Sequence, residues 1–172
     1  MKELEAKFRV KCEDLGDLRS RIQSLGFNLV EVVSEVDYYY NHPCRDFRVT
    51  DEAIRVRVVS NGRVELTYKG PRVDGEFKLR DEYVVYVNSM TIAKILELLG
   101  FKQVVLVEKR REYYSKGSIT ISLDEVRGLG CFLELEVRNG DVGLVKSLIE
   151  DLGLSMDYYE PKTYLELLIE RS

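Results

Sequence analysis

The chain has 172 residues, of which 45% are hydrophobic and 33% are charged, and its formal net charge at pH 7 is −4. This length and composition predict one globular domain, residues 1–172, with an unusually high charge content. The negative net charge disfavours a general nucleic-acid surface, which is normally strongly basic. No apolar run reaches the roughly 18 residues of a membrane span, and the charged first segment is unlike a secretory signal. We therefore expect a cytoplasmic protein without a membrane or nucleic-acid partner.

The first predicted element is a strand over residues 3–10, in which charged and apolar residues alternate strictly. Successive side chains of a strand lie on opposite faces. Two carboxylates about 7 Å apart on one strand face can hold a divalent cation, and a lysine beside them can hold an anion, which together suit phosphate chemistry. Taken alone, the segment is more typical of a solvent-exposed edge strand. One face carries all of its charges: Glu3, Glu5, Lys7 and Arg9.

Three amphipathic helices are predicted, at residues 14–26, 90–100 and 144–152, and each ends at a glycine followed by an apolar residue. The first two lie within a repeated order of strand, helix and strand, since strands at 3–10 and 29–41 match strands at 77–87 and 103–114. Two more strands follow each unit, at 53–59 and 63–69 and at 118–124 and 131–138. Asn61-Gly62 is a tight-hairpin signal within the first pair. The sequence therefore predicts eight strands in two similar halves.

The later strands repeat the alternation of the first, with one face rich in lysine and arginine. An antiparallel sheet with one solvated face would show the same pattern. However, a solvated face normally includes more serine, glutamine and asparagine, and the three amphipathic helices need the apolar face to pack on. Eight antiparallel strands can close into a barrel, which would place the charges inside a tunnel and the helices outside. Buried charges need partners, and a polyphosphate with a divalent metal would supply them.

The remaining candidates for chemistry are few. His42 is the only histidine, and we expect it as a loop residue or at the edge of the substrate rather than as a general base, because glutamates or a metal-bound water suit that role better. The tyrosines at 38–40 could stack on a base, but packing is favoured, since tyrosine is common in strands. The cysteines are widely separated and odd in number, which predicts neither a disulfide framework nor a zinc site. They are Cys12, Cys44 and Cys131.

Motifs spread over essentially the whole chain resemble the CYTH superfamily, the triphosphate tunnel metalloenzymes, which include class IV adenylyl cyclases and thiamine triphosphatases. Glu3-Leu4-Glu5-Ala6-Lys7 matches the ExExK strand of that family, a weak pattern when it stands alone. The ordered set is far more specific. Its other members are the segments 37–41, 42–47, 53–57, 67–71, 78–82, 108–111, 123–126, 128–136 and 162–164.

The resemblance implies an α+β fold, an eight-stranded antiparallel barrel that forms a tunnel, with flanking helices. It implies Mg²⁺ or Mn²⁺ bound by Glu3, Glu5, Glu134 and Glu136, with Asp124 at or near the metal, and it makes Glu5, Lys7, Asp124 and Glu134 the candidate catalytic residues. It also implies a set of phosphate-binding residues, in which lysine acts as a point charge and arginine as a bidentate fork. Lys162 of this set is expected on a C-terminal helix. The set is Lys7, Arg9, Arg55, Arg57, Lys69, Lys78, Arg80, Lys109, Arg111 and Lys162.

Two reactions use the same metal and basic residues. The leading prediction is hydrolysis of inorganic triphosphate or of a small organic triphosphate, because every recognisable functional residue addresses phosphate or metal and none addresses a base. The alternative is a class IV adenylyl cyclase that converts ATP to cAMP and pyrophosphate, since residues 42–47 resemble that subgroup. A non-catalytic polyphosphate or nucleotide-binding module is disfavoured by the complete acidic set. The expected partner is thus a triphosphate-containing small molecule, and a homodimer is left open.

Overall fold

A computed structural model describes residues 2–138 and 140–172 of the chain. Eight strands are observed where eight are predicted, and their ends differ from the predicted ends by at most two residues. The strands are Lys2–Val10 (β1), Asn28–Asn41 (β2), Ala53–Val59 (β3), Val64–Lys69 (β4), Lys78–Val87 (β5), Lys102–Lys116 (β6), Ile119–Val126 (β7) and Gly130–Arg138 (β8).

The strands close into a barrel in the order β1-β5-β4-β3-β2-β6-β7-β8, and all pairs are antiparallel. Exchanging the two halves of the chain, β1 for β5 through β4 for β8, gives the same ring read in the opposite direction. The predicted repeat is therefore a two-fold symmetry of the topology. Its consequence for the interior is that β1 pairs with its own counterpart, which sets Glu3 opposite Arg80 and Glu5 opposite Lys78.

Five α-helices lie among the described residues: Leu15–Ser24 (α1), Phe47–Thr50 (α2), Thr91–Leu98 (α3), Val142–Asp151 (α4) and Tyr164–Arg171 (α5). Short 3₁₀ segments occur at Cys12–Asp14 and Met156–Tyr158. The predicted glycine stops are confirmed, since Gly26, Gly100 and Gly153 have φ angles of +85°, +92° and +66°, where glycine alone is unstrained. No helix in the described ranges is long and apolar enough to cross a membrane.

The helices pack on the outside of the barrel, as predicted. Ile22 of α1 and Val145 of α4 are both fully buried in one cluster with the outward-facing Leu4 and Leu135. The short helix α3 buries Ala93 and Leu96 on the opposite side, against Val56 and Val64. Fully burying an aliphatic side chain stabilises the fold by roughly 1.5–3 kcal/mol. Because the apolar faces of the strands are used in this way, the charged faces point into the barrel.

The prediction that the cysteines form no disulfide is wrong, because Cys12 and Cys131 are bonded with a Cα–Cα distance of 5.3 Å. The two residues are 119 positions apart in sequence. They meet because β1 pairs antiparallel with β8, with Val10 opposite Cys131, and Cys12 follows directly. Cys44 is free and exposed. The disulfide gives no support to a cytoplasmic location, which stays a prediction.

Candidate active site

The interior of the barrel holds the charges that the alternation predicts. Eight basic side chains that face inward are buried, from Lys7 at 1% exposure to Lys69 at 8%. A narrow cavity of about 70 Å³ runs among them. The cavity is lined by basic and acidic residues from β1, β3, β4, β5, β6 and β8, and by Tyr39 of β2. The predicted residues among these are Glu5, Lys7, Arg55, Arg57, Lys69, Arg80, Lys109, Arg111, Glu134 and Glu136.

Two predicted phosphate ligands, Arg57 and Arg111, are bound to carboxylates. Arg57 donates from Nε and Nη2 to Asp37 at 2.6 and 2.8 Å, and its Nη1 lies 3.2 Å from Glu35. Arg111 donates to both oxygens of Asp124 and lies 2.5 Å from Glu134. These fork-to-fork contacts are geometrically specific and strong, so they hold the two guanidinium groups in place before any ligand arrives.

Glu35 and Asp37 are buried carboxylates of the tunnel wall that the sequence analysis did not identify. Both are about 1% exposed and face inward from β2. Burial alone would raise their pKa values, but the surrounding cations, chiefly Arg57, together outweigh it and lower the pKa of Glu35 to about 2 and that of Asp37 further. A signal for them existed, because positions 35, 37 and 39 alternate with Val36 and Tyr38 along the strand.

Three other cations are held only loosely. Lys7 Nζ lies 3.9 Å from Glu5 and 4.0 Å from Glu134, and Arg80 lies 3.7 Å from Glu82. Arg55 lies 3.6 Å from Asp37 and donates to Thr67 at 3.1 Å. Its Nε is buried and has no hydrogen-bond partner among residues 2–138 and 140–172. An unpaired buried donor is costly, so Arg55 is a group that an anionic ligand would complete.

Burial and neighbouring positive charges lower the pKa values of two tunnel lysines, Lys7 and Lys109. Burial, together with the neighbouring Lys78, lowers the pKa of Lys7 to about 7. Burial and Arg111 likewise lower the pKa of Lys109. Bringing a polyanion into the tunnel would favour the charged form of both groups, since an opposite charge nearby raises the pKa of an amine.

The four predicted metal-binding glutamates come from the neighbouring strands β1 and β8. Glu5 accepts from Lys78 Nζ at 2.5 Å, and Glu134 is paired with Arg111. The side chains of Glu3 and Glu136 form no ion pair or hydrogen bond with the described residues. Burial, together with Glu134 and Glu3, raises the pKa of Glu136 to about 7.

The carboxyl groups of these four glutamates are crowded, and two of them have no basic side chain among the described residues as a partner. Such a group suits a hard divalent ion, which prefers oxygen ligands. In the described parts of the chain, however, no three acidic, histidine or cysteine side chains are already arranged to hold a metal. Binding would therefore require Glu5 and Glu134 to turn away from Lys78 and Arg111.

The predicted residue Asp124 lies behind this group, fully buried. Its carboxylate accepts from Arg111 and from the hydroxyl of Tyr164 at 2.6 Å. Tyr164 is the first residue of α5, and its ring lies 4.3 Å from Lys7 Nζ and 5.1 Å from that of Lys109. The C-terminal helix thus inserts one aromatic side chain into the barrel, a role that the sequence analysis did not assign.

Two predicted phosphate ligands are not brought into the tunnel. Arg9 is 40% exposed at the barrel end and pairs with Glu160 at 2.7 Å. Lys162 was expected on the C-terminal helix, but α5 begins only at Tyr164, and the Lys162 side chain is 47% exposed and pairs with Glu170. Of the tyrosines at 38–40, only Tyr39 lines the tunnel, whereas Tyr40 is buried outside it.

The closed barrel and its charged interior agree with the match of residues 1–164 to the CYTH domain. The chain belongs to the CYTH family. CYTH proteins are divalent-metal-dependent enzymes that act on triphosphate-containing nucleotides such as ATP. A Methanocaldococcus jannaschii protein named "Putative adenylate cyclase MJ0240" is 37% identical over 172 residues, which cover 95% of this chain and 98% of that protein.

Solved structures of other proteins share the CYTH barrel. PH1819 from Pyrococcus horikoshii OT3 has a TM-score of 0.86 and 36% identity, with 99% of each chain covered. HpAC1 from Hippeastrum, described as having a dominant triphosphatase activity, has a TM-score of 0.67 and 16% identity, with 99% of this chain and 94% of that chain covered. At that identity the likeness to HpAC1 concerns the fold alone.

Proposed function

We propose that this CYTH protein is a metal-dependent triphosphatase that hydrolyses inorganic triphosphate or the triphosphate of a small organic molecule. The observation that carries the proposal is the incompletely paired cation set of the tunnel. Arg55 has a buried Nε without a partner, and the nearest carboxylates to Lys7 and Arg80 lie 3.7–4.0 Å away. A linear chain of phosphates supplies the oxygens that these three groups lack.

The glutamates of β1 and β8 would hold Mg²⁺ or Mn²⁺, through Glu3, Glu5, Glu134 and Glu136. When bound, the metal would polarise the phosphoryl oxygens and neutralise charge that develops on them. Burial and the neighbouring Glu134 and Glu3 raise the pKa of Glu136, so a cation held by these glutamates would have its charge opposed by theirs. The acidic and basic halves of the tunnel would then each have a ligand of opposite charge.

The protein groups supply the rest of the catalysis. Arg55 and Arg80 hold and orient the phosphates, so the substrate pays little entropy when the reaction occurs. Lys7 is buried within 4.0 Å of both Glu5 and Glu134, and an anion in the tunnel favours its charged form. Its ammonium is therefore placed to stabilise the negative charge that develops on the departing phosphate oxygens.

Adenylyl cyclase activity is the second candidate, and the name of the Methanocaldococcus jannaschii relative favours it. The described structure carries the cyclase-like segment 42–47 at the rim of the barrel, where the His42 ring lies 5.1 Å from that of Phe101. A cyclase would hold adenine and ribose so that the 3′-hydroxyl attacks the α-phosphorus. A triphosphatase places water against the terminal phosphorus instead.

A side-by-side assay decides between the two reactions. The protein is incubated with inorganic triphosphate, ATP or thiamine triphosphate in the presence of Mg²⁺ or Mn²⁺, and phosphate, pyrophosphate and cAMP are measured separately. We expect phosphate as the main product, with inorganic triphosphate turned over. If ATP gives cAMP and pyrophosphate while inorganic triphosphate is inert, the cyclase assignment replaces ours.

A further inference from the structure

Tyr164 is the residue through which the C-terminal helix α5 contacts the cations of the tunnel. It is 6% exposed and lines the tunnel cavity. The centroid of its ring lies 4.3 Å from Lys7 Nζ and 5.1 Å from Lys109 Nζ. Its hydroxyl donates to Asp124 at 2.6 Å, and burial together with Asp124 raises the pKa of Tyr164 well above its usual range, so the hydroxyl stays a donor. One side chain therefore contacts groups from β1, β6 and β7.

The two lysines on this ring are held only loosely by carboxylates. The ion pairs of Lys7 are 3.9 and 4.0 Å long, and those of Lys109 are 3.5–3.9 Å long, with Glu35 the closest. By contrast, Lys78 lies 2.5 Å from Glu5. A cation within about 6 Å of an aromatic centroid is attracted by the electrons of the ring, more strongly where water is excluded. The aromatic ring is therefore a contact that the two loosely paired ammonium groups share.

The start of α5 is fixed, so the position of the Tyr164 ring is fixed as well. Thr163 caps the helix by accepting from Glu166 N at 3.2 Å, and the Glu166 carboxylate accepts from Thr163 N at 2.6 Å. Arg72 donates to the same carboxylate at 2.8 Å, which ties the helix to the segment after β4. Phe132 of β8 packs edge-on against the Tyr164 ring, with the centroids 5.0 Å apart. A ring held in this way can restrict the flexible ends of two lysines.

The hydroxyl of Tyr164 connects a third cation to the same side chain. Asp124 accepts from this hydroxyl and, at 2.5 Å, from Arg111 Nε. Arg111 in turn lies 2.5 Å from Glu134. Fixing the Asp124 carboxylate fixes the plane of the guanidinium group that binds it, because the contact is a bidentate one.

From this arrangement we infer that Tyr164 is a positioning residue for the phosphate-binding cations. Its ring holds Lys7 and Lys109 in place, and its hydroxyl holds Arg111 through Asp124. The inference rests on the proposed function, since it takes the triphosphate to bind in the tunnel, and deepens it by giving α5 a part in substrate binding. Cations that are fixed before the ligand arrives lose less side-chain entropy on binding it. Tyr164 acts through these cations and not on the reacting atoms.

Two substitutions of Tyr164 separate its ring from its hydroxyl. Calorimetric titration with inorganic triphosphate in EDTA measures affinity, and phosphate release in Mn²⁺ measures kcat/KM. Tyr164→Leu removes the ring, so both should fall by roughly 10- to 100-fold, as small misplacements of binding groups cause. Tyr164→Phe keeps the ring, so both should fall by only about 2- to 10-fold, the net effect of one hydrogen bond.

The matched control is a tyrosine outside the tunnel. Tyr114 is 1% exposed, and its hydroxyl donates to the buried carboxylate of Glu112 at 2.8 Å on the outer face of β6. Tyr114→Leu removes the same groups from the same kind of environment. It should lower the unfolding temperature and keep the wild-type affinity and kcat/KM.

A double-mutant cycle with Lys7→Met separates positioning from packing. If Tyr164 acts through the lysines, Tyr164→Leu should weaken triphosphate binding less in the Lys7→Met protein than in wild type, by roughly threefold or more. Equal losses in both backgrounds would show that the ring only packs, and would overturn the inference. If Tyr164→Leu does not fold, Tyr164→Phe with a fluorinated ring replaces it in the cycle, with unfluorinated Tyr164→Phe as its reference. Fluorination withdraws electrons from the ring face with little change of shape, and it should weaken binding in wild type more than in Lys7→Met.

The outcomes distinguish the inference from the proposed function. If wild type binds inorganic triphosphate but releases no phosphate, the proposed function fails, and the cycle is decided by the affinities alone. If wild type hydrolyses inorganic triphosphate and the losses are equal in both backgrounds, the positioning role fails and the triphosphatase assignment stands. If wild type does not bind inorganic triphosphate, both are overturned.

Discussion

Lys78 Nζ lies 2.5 Å from Glu5 Oε1 across the β1–β5 strand pair. Both residues are predicted ligands, the lysine for phosphate and the glutamate for metal, and in this structure they neutralise each other. The same holds for Arg111 and Glu134 at 2.5 Å. Under the proposed function, loading the tunnel would exchange these partners: the carboxylates would pass to the metal, and the freed lysine and arginine would bind phosphate.

This exchange predicts that one substitution will strengthen the binding of triphosphate and also abolish turnover. Glu5→Gln removes the charge that holds Lys78, so the variant should bind inorganic triphosphate more tightly than wild type when EDTA is present. It should also lose turnover, because a metal ligand is missing. Isothermal titration in EDTA and a phosphate-release assay in Mn²⁺ measure the two effects.

The matched control for Glu5→Gln is Glu108→Gln, which removes a carboxylate that pairs with the exposed Arg127 outside the tunnel. It should behave as wild type in both assays. Full activity of Glu5→Gln or of Glu134→Gln, or wild-type activity undiminished in excess EDTA, would contradict the assignment of these glutamates to the metal.

Substitution of Arg55 is predicted to affect mainly activity, and substitution of Arg57 mainly stability, although the two residues lie two positions apart on β3. Arg55→Ala removes a loosely paired group, so it should lower kcat/KM about 10- to 150-fold, the equivalent of a charge-assisted contact of roughly 1.5–3 kcal/mol, with little change in thermal stability. Arg57→Ala leaves Asp37 and Glu35 buried without their bidentate partner, and breaking such a pair costs roughly 3–5 kcal/mol.

Thermal unfolding with and without inorganic triphosphate distinguishes the two arginine variants. We expect wild type to be stabilised by the ligand and Arg55→Ala to be stabilised much less. Arg57→Ala should already unfold at a lower temperature without ligand. If both variants unfold like wild type, the two arginines do not have the separate roles that their contacts indicate.

Glu112 lies outside the tunnel, and its contacts predict a pH-dependent contribution to the stability of the fold. It faces outward from β6 and accepts from Arg19 of α1 at 2.8 and 2.9 Å. The hydrogen bonds from Arg19, despite burial, lower the pKa of Glu112 to about 2. Because the folded-state pKa lies below the unfolded value, this stabilisation is complete above about pH 5 and is lost as the pH falls toward 2.

The substitution Glu112→Gln should therefore lower the free energy of unfolding by roughly 1.5–3 kcal/mol at pH 7, and the difference from wild type should shrink as the pH falls from 5 to 2. Urea unfolding at several pH values measures this. Glu125→Gln provides the comparison, since Glu125 is half exposed and pairs with the exposed Arg110. A difference at pH 7 that persists undiminished at pH 2 would show that Glu112 acts by packing rather than by charge.

The sequence predicted the barrel because its signal is repeated in every strand. Alternation in β1, β3 and β8 was enough to place Lys7, Arg55 and Glu134 on one surface, and the need of three helices for an apolar face decided which surface points inward. The strand ends were located closely because glycine and Asn61-Gly62 turns mark them. The short helix α2 was missed because four residues carry no helical periodicity.

The partners inside the tunnel were not predictable from the sequence. Alternation tells that Arg57 faces inward, but its bond to Asp37 depends on β2 lying beside β3, and the order of strands in the ring is a property of the whole fold. Tyr164 contributes a single side chain at the start of a helix, so no repeated pattern marks it. The cavity lined by Phe47, Val104 and Ile169 is likewise assembled from residues on α2, β6 and α5 that are far apart in the chain.

The disulfide between Cys12 and Cys131 was likewise not predictable from the sequence. Cys12 and Cys131 meet only because the first strand pairs with the last, and their bond closes a chain segment with a sequence separation of 119 residues. In the chain-entropy view, cross-linking so long a loop stabilises the folded state by roughly 4–5 kcal/mol, with observed values of about 0–5.

We expect Cys12→Ser to lower the free energy of unfolding by roughly 2–5 kcal/mol. Reducing the wild-type protein should have the same effect and add nothing to the variant. Cys44→Ser, which changes a free and exposed cysteine, is the control and should unfold as wild type does in guanidinium titrations with and without reductant. Equal unfolding midpoints for oxidised and reduced wild type would contradict this prediction, because the pairing of β1 with β8 would then be stable without the disulfide.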